Sequence, residues 1–328
     1  MNKILITGGA GFIGFALSKK LSDDSNNQIT IIDNLLRGKL DDEFEFLVNR
    51  DNVKFINADI TDAGVFLNLD KDYDYVYHLA AVIGVKNVMK NPDKVLYVNS
   101  ISTLNLLEFL KNNHNLKKIL FSSTSEIYSG TLKNFGIDIP TDETVKLTVE
   151  DIKSERTTYA LSKMFGESVC FNYGNKYSIP FTIVRYHNVY GPRMGFAHVV
   201  PEMFVKIKNN NKVDVPSPTH SRAFCFIDDA IEMTKRACEN ENTNNEILHI
   251  GNSKEEIQMK DLVLKISKII GKTIELNEQP DTPGSTARRC PDVSKIKKLT
   301  GYTAAVSLDE GIAKTYNWYE DKLDKVYE

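Results

Sequence analysis

Short apolar runs rich in isoleucine, valine and phenylalanine recur up to about residue 190, and segments with helical periodicity lie between most of them. The runs are KILITG (3–8), QITIID (28–33), VKFINAD (53–59), YVYHLAA (75–81), KKILFSS (117–123) and FTIVRY (181–186). Near-continuous apolar strands that alternate with helices are typical of a parallel sheet whose two faces are both covered by helices. The pattern therefore predicts an α/β protein built on a doubly wound parallel sheet.

The pattern becomes less regular beyond about residue 190, where a polar stretch and two helical segments follow. The second of these helices is expected to run from Leu308 to about Lys322. A chain of 328 residues is long enough for two fused domains, each with its own apolar interior. We predict a dinucleotide-binding domain over residues 1–185, to which a segment near 220–250 returns, and a smaller α/β lobe over residues 186–328 that binds substrate.

Composition argues against several classes of function. The chain has 41 Lys+Arg against 44 Asp+Glu, so it offers no broad basic face for nucleic acid. No run approaches the ~20 apolar residues of a membrane helix, and glycines interrupt the apolar N-terminal segment. The cysteines are scattered without the spacing of a disulfide framework or a thiolate metal site: Cys170, Cys225, Cys238 and Cys290. We expect a soluble cytoplasmic protein without a nucleic-acid, membrane or metal partner.

A glycine-rich turn, TGGAGFIG, follows the first predicted strand and opens a helix, with Gly8, Gly11 and Gly14 spaced three apart. Glycines at such a junction allow a tight turn, close approach of a pyrophosphate to backbone N–H groups, and close packing of helix on strand. The helix N-terminus also favours negative charge. The turn therefore predicts a Rossmann-type dinucleotide site.

The ends of the next predicted strands carry groups suited to the rest of a dinucleotide. Asp33 ends the second strand, where a carboxylate can accept hydrogen bonds from an adenosine ribose. Asp59 ends the third strand, and the segment HLAAVIG ends the fourth. Open α/β sheets bind ligands at these carboxyl ends. A carboxylate at Asp33 would repel a 2′-phosphate, which favours NAD over NADP, although the nearby Arg37 leaves NADP open.

The segment TTYALSK places Tyr159 and Lys163 one helical turn apart. Taken alone, this spacing is more often a solvated helix face. Shifting a tyrosine pKa from ~10 toward ~7 requires roughly 4 kcal/mol of differential stabilisation. A lysine on the same helix face can supply much of it, and the positive charge of a nicotinamide can add to the effect. We therefore expect Lys163 to lower the pKa of Tyr159.

Further short motifs complete a recognisable order along the chain. They are TGGAGFIG, DNLLRG, HLAA, SSTSEIY, YALSK, RYHNVYGPR, SRAFCFIDDA and RRCPD. In this order the chain resembles the extended short-chain dehydrogenases/reductases, and among them the NAD-dependent sugar-nucleotide epimerases, dehydratases and decarboxylases. The resemblance implies NAD as cofactor and a nucleotide-diphosphate sugar as substrate. It also implies a homodimer that pairs through helices, one of which carries the Tyr-Lys motif.

The resemblance assigns cofactor contacts to the glycine turn, the strand ends and two helices. These residues are Gly8, Gly11, Phe12, Ile13, Gly14, Asp33, Asn34, Asp59, Ile60, Leu79, Ala80, Ala81, Asn99, Tyr159 and Lys163. By this resemblance the glycines cradle the pyrophosphate, Asp33 holds the adenosine ribose, and Asp59 with Ile60 borders the adenine. Lys163 would bind the nicotinamide ribose.

The same resemblance implies the chemistry. Tyr159 would act as general base with Lys163 and Thr124, removing a proton while a sugar is oxidised at carbon 4 to a keto-sugar. Glu126 is a fourth catalytic candidate. Ser125 stands where family dehydratases have an aspartate, which argues against dehydration.

Epimerisation is the leading interpretation, and UDP-glucuronate decarboxylation is the alternative. The order Thr124-Ser125-Glu126 resembles the decarboxylases, as does Arg156 three residues before the tyrosine, but many epimerases carry the triplet too. Arg156 is as readily explained by a surface charge as by a substrate contact. A 4,6-dehydratase or a non-catalytic NAD-binding regulator ranks below both.

Substrate contacts follow from the later motifs. They are assigned to Ser125, Asn188, Arg222 and Arg289. The two arginines would clamp the diphosphate, with Arg288 as a competitor for the second position. His187 is expected to be a packed, hydrogen-bonded residue without a catalytic role, and His198 to line the nucleotide side.

Overall fold

The computed structural model describes residues 1–282 and 284–327, with the backbone alone for Lys86 and residues 324–327. Within this part of the chain the strands are β1 (Asn2–Thr7), β2 (Asn27–Asp33), β3 (Val53–Asn57), β4 (Tyr75–His78), β5 (Lys118–Thr124), β6 (Phe181–Tyr186), β7 (Val189–Tyr190), β8 (Lys212–Pro216), β9 (Ser221–Ala223), β10 (Cys225–Phe226), β11 (Glu246–Ile250), β12 (Glu256–Gln258), β13 (Glu275–Gln279) and β14 (Arg288–Arg289).

The α-helices of the described residues lie mostly between these strands. They are α1 (Phe12–Ser22), α2 (Asp42–Val48), α3 (Val85–Lys90), α4 (Pro92–Leu110), α5 (Ser129–Phe135), α6 (Thr157–Tyr177), α7 (Val199–Asn209), α8 (Ile227–Glu239), α9 (Met259–Ile270), α10 (Ser294–Thr300) and α11 (Leu308–Tyr319). The last helix is shorter than expected, because a 3₁₀ segment, Glu320–Tyr327, follows it.

Seven strands form one parallel sheet in the order β11-β6-β5-β4-β1-β2-β3. The chain builds β1, β2 and β3 outward in one direction and then returns to the other side of β1 for β4, β5 and β6. The strand order therefore reverses between β1 and β4, and ligands bind open α/β sheets at such a point. The predicted doubly wound fold is confirmed.

Helices cover both faces of this sheet, which explains why its central strands are almost wholly apolar. Successive side chains of β1 point to opposite faces. Ile4 and Ile6 join the core cluster beneath α1, whereas Leu5 joins the cluster that contains Leu106 and Leu107 of α4. All seven residues of β5 are buried. The interior of the sheet is thus apolar, and the polar groups that could take part in a reaction lie at its carboxyl edge.

The later part of the chain is divided between the main sheet and smaller sheets. Strand β11 pairs with β6 at one edge of the main sheet. The smaller sheets are β7 with β10, β8 with β13, and β9 between β12 and β14. They form the smaller α/β part that the sequence predicts. The boundary at residue 185 stays a prediction.

None of the helices in the described residues combines the length and apolar character needed to cross a bilayer. The same residues contain no group of three or more His, Cys, Asp or Glu side chains that could hold a metal ion. All four cysteines are buried free thiols. The cytoplasmic location stays a prediction.

Candidate active site

The glycine-rich turn packs against the loop that follows β4. Gly8 has a φ of +77°, and a Cβ atom there would lie 2.6 Å from the Ala80 backbone nitrogen. A Cβ atom on Gly14 would lie 2.1 Å from the Gly8 carbonyl oxygen. Any larger residue at either position would therefore force the turn away from the neighbouring backbone. The two glycines allow α1 to begin directly against β1 and β4.

The beginning of α1 is suited to an anion. Gly11 is the N-cap and provides no side-chain hydrogen bond to the first helical amides, and the first turn contains no acidic residue. The first N–H groups of a helix lack intrahelical partners, and the helix dipole places partial positive charge there. Phe12 and Ile13, the first helical residues, belong to this turn. The cradle therefore fits a pyrophosphate.

Asp33 joins the end of β2 to the glycine turn. Its Oδ2 accepts a hydrogen bond from the Ala10 amide at 3.0 Å, and its Oδ1 accepts one from the Leu35 amide at 2.8 Å. Burial raises the pKa of this carboxyl group, although both amides act in the opposite direction. Asp33 thus holds the turn in shape from the position predicted for a ribose ligand.

Asp59 lies beside Asn34 at the ends of β3 and β2. The Asn34 amide nitrogen donates to Asp59 Oδ2 at 3.0 Å, and the Thr61 amide donates to Oδ1 at 2.9 Å. Burial acts to raise the pKa of Asp59, but these hydrogen bonds outweigh it, and the pKa is lowered. The adjoining Ile60 is buried. The carboxylate is therefore ionised at the rim of the predicted adenine site.

Asn99 connects the loop after β4 with α6. Its Oδ1 accepts from the Val82 amide at 2.7 Å, and its side-chain nitrogen donates to Ser162 Oγ at 3.0 Å. Upstream in the same loop, the Leu79 amide donates to the Thr7 carbonyl at 3.0 Å. Asn99 thus positions the loop that contains Ala80 and Ala81. Its own contact with a cofactor stays a prediction.

The predicted catalytic residues meet at the carboxyl end of β5. Thr124 is the last residue of that strand, and its hydroxyl is hydrogen-bonded to the phenol of Tyr159 in the first turn of α6. The same hydroxyl accepts a hydrogen bond from the Glu126 amide at 3.2 Å. Lys163 lies one turn farther along α6, where its Nζ donates to the Ser122 carbonyl at 2.7 Å. Thr124 thus contacts the phenol of Tyr159 directly, whereas Lys163 contacts the backbone of β5 at Ser122.

The pKa of Tyr159 differs from the expectation. Burial raises it above the usual value of a tyrosine, and the hydrogen bond from Thr124 and the nearby Arg37 only partly oppose this effect. Burial also lowers the pKa of Lys163 to about 8. The prediction that Lys163 lowers the phenol pKa is therefore wrong for the protein alone. Proton acceptance near neutral pH requires further positive charge beside the ring.

A buried ion pair holds α6 on the sheet. Arg185 of β6 donates to both oxygens of Glu167 on α6, at 2.9 and 2.7 Å, and Ser123 Oγ donates to Glu167 at 2.5 Å. Both charged side chains are almost fully buried. Sequence reasoning missed this pair, although an arginine inside the apolar strand FTIVRY was a visible signal. The pair fixes where Tyr159 and Lys163 lie relative to β5.

Arginines surround one carboxylate on the substrate side. Arg289 donates to Glu126 Oε1 at 2.6 Å. The attraction of Arg289, with smaller contributions from Arg156 and Arg222, lowers the pKa of Glu126 despite burial. Arg222 donates to Ser285 Oγ at 3.0 Å, and burial together with Arg289 lowers its pKa to about 10. This group of one carboxylate and three arginines therefore has an excess of positive charge, which suits an anionic substrate.

The two neighbouring arginines of β14 have different partners. Arg288 binds Glu256 through two hydrogen bonds of 2.7 and 2.8 Å, whereas Arg289 reaches Glu126. Successive residues of a strand point to opposite faces, which accounts for the difference. Arg289, and not Arg288, is therefore the arginine that lies at the catalytic segment.

The remaining candidates for substrate contact, Ser125, Asn188 and His198, differ in burial and in their hydrogen-bond partners. Ser125 is buried directly after Thr124. Asn188 has a φ of +39°, and its side-chain nitrogen donates to the Ala223 carbonyl at 3.0 Å. His198 caps α7, with its Nδ1 3.1 Å from the Gly195 carbonyl oxygen. Their contacts with substrate stay predictions.

His187 contradicts one expectation. It is packed as predicted, with 1% of its surface exposed and its ring 4.6 Å from that of His249. Within the described residues, however, neither ring nitrogen has a hydrogen-bond partner. The prediction that His187 is hydrogen-bonded is therefore wrong.

Arg193 joins the substrate side to the glycine turn. It pairs with Asp41 at 2.7 Å, donates to the Ala10 carbonyl at 3.3 Å, and lies over the Phe15 ring. Sequence reasoning assigned no role to this residue, although it ends the motif RYHNVYGPR. The contact fixes the loop after β7 against the dinucleotide turn.

Comparisons with known proteins agree with this geometry. The chain is 32% identical, over 97% of its own length and 98% of the relative's, to the UDP-N-acetyl-alpha-D-glucosaminuronate decarboxylase of Bacillus cytotoxicus. Among solved structures it is similar to the UDP-glucose 4-epimerase of Thermotoga maritima, with a TM-score of 0.84, 28% identity, and coverage of 98% and 99% of the two chains. It is also similar to the UDP-glucuronic acid 4-epimerase of Bacillus cereus in complex with UDP-glucuronic acid and NAD, with a TM-score of 0.82, 28% identity, and coverage of 97% and 99%.

The family model described as the NAD dependent epimerase/dehydratase family matches residues 4–251. The match begins within β1 and ends just past β11, so it takes in strands from all seven positions of the main sheet. It confirms the family to which the motifs pointed, and the NAD dependence of that family confirms the predicted cofactor. The glycine cradle and the uncapped start of α1 fit that cofactor. The chain belongs to the NAD-dependent epimerase/dehydratase family.

Proposed function

We propose that the protein is an NAD-dependent sugar-nucleotide epimerase that transiently oxidises carbon 4 of the sugar. The observation that carries this proposal is the hydrogen bond between Thr124 and Tyr159 at the carboxyl end of β5, with Lys163 of the same helix held at Ser122 of that strand. This edge of the sheet also holds the glycine cradle. A base placed there can act on a hydroxyl group of a substrate that lies beside the dinucleotide.

In this proposal bound NAD would supply the hydride acceptor for the sugar carbon and the further positive charge that the phenol needs. Tyr159 accepts the proton of the sugar hydroxyl, which leaves a keto-sugar, and gives the proton back when the ketone is reduced from its other face. Thr124 holds the phenolic oxygen through its hydroxyl group. Lys163, fixed by the Ser122 carbonyl, would bind the nicotinamide ribose. Gly8, Gly11 and Gly14 would hold the pyrophosphate.

The state of Glu126 supports epimerisation over reactions that need a second acid. Arg289 holds its carboxylate and keeps its pKa below the usual value, so the group stays ionised near neutral pH. An ionised carboxylate has no proton to donate. Epimerisation at carbon 4 needs only the proton that Tyr159 exchanges. Arg222 and Arg289 would then bind the diphosphate, whose oxygens suit planar guanidinium groups.

Decarboxylation of a UDP-uronic acid is the second candidate, and it would use the same keto-sugar. A carboxylate beta to the new ketone can leave as carbon dioxide. The triplet Thr124-Ser125-Glu126 favours this alternative, as does the decarboxylase named among the relatives. Arg156 adds positive charge near Glu126 that could pair with a sugar carboxylate. Dehydration ranks lower because Ser125 provides no acid.

The product distinguishes the two reactions. We expect the purified protein to convert one of UDP-glucose, UDP-galactose, their N-acetylamino counterparts or UDP-glucuronic acid into an isomer of unchanged mass. Liquid chromatography with mass spectrometry would resolve that isomer. A product lighter by one carbon dioxide would move the assignment to the decarboxylase.

Replacing Tyr159 with phenylalanine tests the proposed base. Because the change removes the proton acceptor alone, Tyr159→Phe should lower kcat by roughly 10²- to 10⁴-fold while the protein still binds NAD. Cofactor content and steady-state rates would be measured together. Tyr173→Phe, on the same helix but hydrogen-bonded to Glu108 away from the site, is the matched control and should keep full activity. Near-normal turnover of Tyr159→Phe would refute the assignment.

Glu126→Gln tests whether the second carboxylate exchanges a proton. Glutamine keeps the size of the side chain but loses the charge that holds Arg289, so epimerisation should fall only modestly, by about tenfold or less. Glu256→Gln, which frees the neighbouring Arg288, serves as the control. A loss as large as that of Tyr159→Phe, measured as kcat, would show that Glu126 exchanges a proton and would favour decarboxylation.

A homodimer stays part of the proposal. Leu96 and Tyr97 of α4 and Phe165 of α6 are exposed apolar side chains on two helices that pack against each other, and such a surface suits burial against a second copy. We expect a dimer in light scattering after size exclusion. The double variant Tyr97→Glu/Phe165→Glu should be monomeric, whereas Phe46→Glu, at a more exposed position on α2, should stay dimeric. A monomeric native chain would refute the proposal.

A further inference from the structure

Tyr128 lies at the centre of a buried group of polar side chains behind the active site. It ends the short 3₁₀ segment Ser125–Tyr128, which directly follows β5 and contains Glu126. Its hydroxyl oxygen lies 2.6 Å from Nη1 of Arg185 and 2.7 Å from Nε2 of His249. Each of these three side chains has at most 4% of its surface exposed. The proposed proton transfer uses neither Tyr128 nor His249.

The hydrogen bonds of this group run in one direction. The Asp292 carbonyl oxygen, 3.0 Å from Nδ1 of His249, can only accept, so Nδ1 carries the hydrogen. Burial lowers the pKa of His249 to about 3, so the ring is neutral and Nε2 accepts from the Tyr128 hydroxyl. Burial also raises the pKa of Tyr128, and the phenol keeps its proton. Arg185 donates to the phenolic oxygen, and each member thus fixes the orientation of the next.

At one end the group holds the helix of the proposed base. Arg185 donates to both oxygens of Glu167 on α6, at 2.9 and 2.7 Å. Glu167 lies roughly two helical turns after Tyr159. Tyr128 binds the same guanidinium group and lies two residues after Glu126. One arginine therefore joins the helix of the base to the segment that contains the second carboxylate.

At the other end the group holds the chain that follows β14. His249 of β11 donates to the carbonyl of Asp292, which lies three residues after Arg289. The Asp292 amide donates to the Thr141 carbonyl at 2.7 Å, and the Thr141 amide donates to the Cys290 carbonyl at 2.9 Å. The chain after β14 is therefore held between β11 and the loop after α5, and Arg289 is held with it.

We propose that Tyr128 and His249 are positioning residues that hold the substrate-binding Arg289 at a fixed distance from the proposed base. The proposal rests on the function given above. Tyr128 is anchored to the helix of the base through Arg185, and His249 connects it to the segment of Arg289. A guanidinium group that moves relative to the base would hold the diphosphate, and with it the sugar, out of line. Misplacement by about 1 Å can cost on the order of 10²-fold in rate.

Tyr128→Phe tests this role, because the change removes the hydroxyl group and keeps the ring. Arg289 should be held less precisely, while α6 keeps its ion pair with β6. We therefore expect kcat/KM for the converted UDP-sugar to fall at least roughly tenfold, mainly through a higher KM, with unchanged affinity for NAD. Isothermal titration calorimetry with UDP should show a matching loss of affinity. A purely structural role predicts instead a smaller active fraction, which lowers the apparent kcat at constant KM.

Tyr302→Phe is the matched control. It also removes a buried tyrosine hydrogen bond, of 2.7 Å to Asp229 of α8, but on elements that contribute no residue to the proposed site. This variant should have a lower unfolding temperature and native values of kcat and KM. Steady-state rates and unfolding temperatures would be measured on all variants together.

A double-mutant cycle separates positioning from general weakening. If Tyr128 acts through Arg289, Tyr128→Phe should change kcat/KM by less than about twofold once Arg289→Gln has removed the guanidinium group. Losses that simply add would overturn the proposal. His249→Gln, whose amide oxygen can accept from the Tyr128 hydroxyl, should keep more activity than His249→Leu. Equal losses in these two variants would also contradict it.

Binding and turnover distinguish the two proposals. Absence of turnover with all the sugars named above would refute the proposed function. Unchanged affinity for UDP in Tyr128→Phe would refute the positioning role, whether or not the protein converts a sugar.

Discussion

The buried ion pair between Glu167 and Arg185 is the contact on which the active-site geometry depends. It joins α6 to β6, and Ser123 extends it to β5. Charges this deeply buried must be paired, and removal of one partner from such a pair typically costs about 3–5 kcal/mol. Because Lys163 and Tyr159 precede Glu167 on the same helix, the pair sets both their depth and their rotation. Strand β5 contributes Thr124, so the ion pair helps to hold the helix of the base against the strand that carries the hydroxyl.

Polar contacts of the same kind connect the cofactor side with the substrate side. Arg193 binds Asp41 and the Ala10 carbonyl, and so holds the loop after β7 against the glycine turn. Arg289 reaches from β14 to Glu126, beside the end of β5. Segments far apart in sequence are thus joined by charge pairs at the sheet edge, where apolar packing gives way to polar chemistry. A substrate that lies between them would be in contact with both sides.

Much of the fold was predictable because its signals are local. The hydrophobic periodicity of strands and helices is visible in neighbouring residues. The glycine turn is visible in the spacing of Gly8, Gly11 and Gly14, which are three residues apart. The segment Tyr159–Lys163 was likewise visible, since both side chains belong to one helical turn. In contrast, the electrostatic consequence of that spacing was wrong for the protein alone. Burial, which depends on everything packed around the phenol, raises its pKa more than Thr124 and Arg37 lower it.

The sheet architecture, the dinucleotide turn and the family were predictable from the sequence, because short motifs and hydrophobic periodicity carry that information. Long-range packing determines that Arg289 rather than Arg288 meets Glu126, that Glu167 pairs with Arg185, and that the His187 ring has no hydrogen-bond partner within the described part of the chain. Each of these outcomes depends on which distant segments come within hydrogen-bonding distance. Hydrogen bonds and ion pairs act over a few ångströms in space, and the order of residues along the chain does not specify those distances directly.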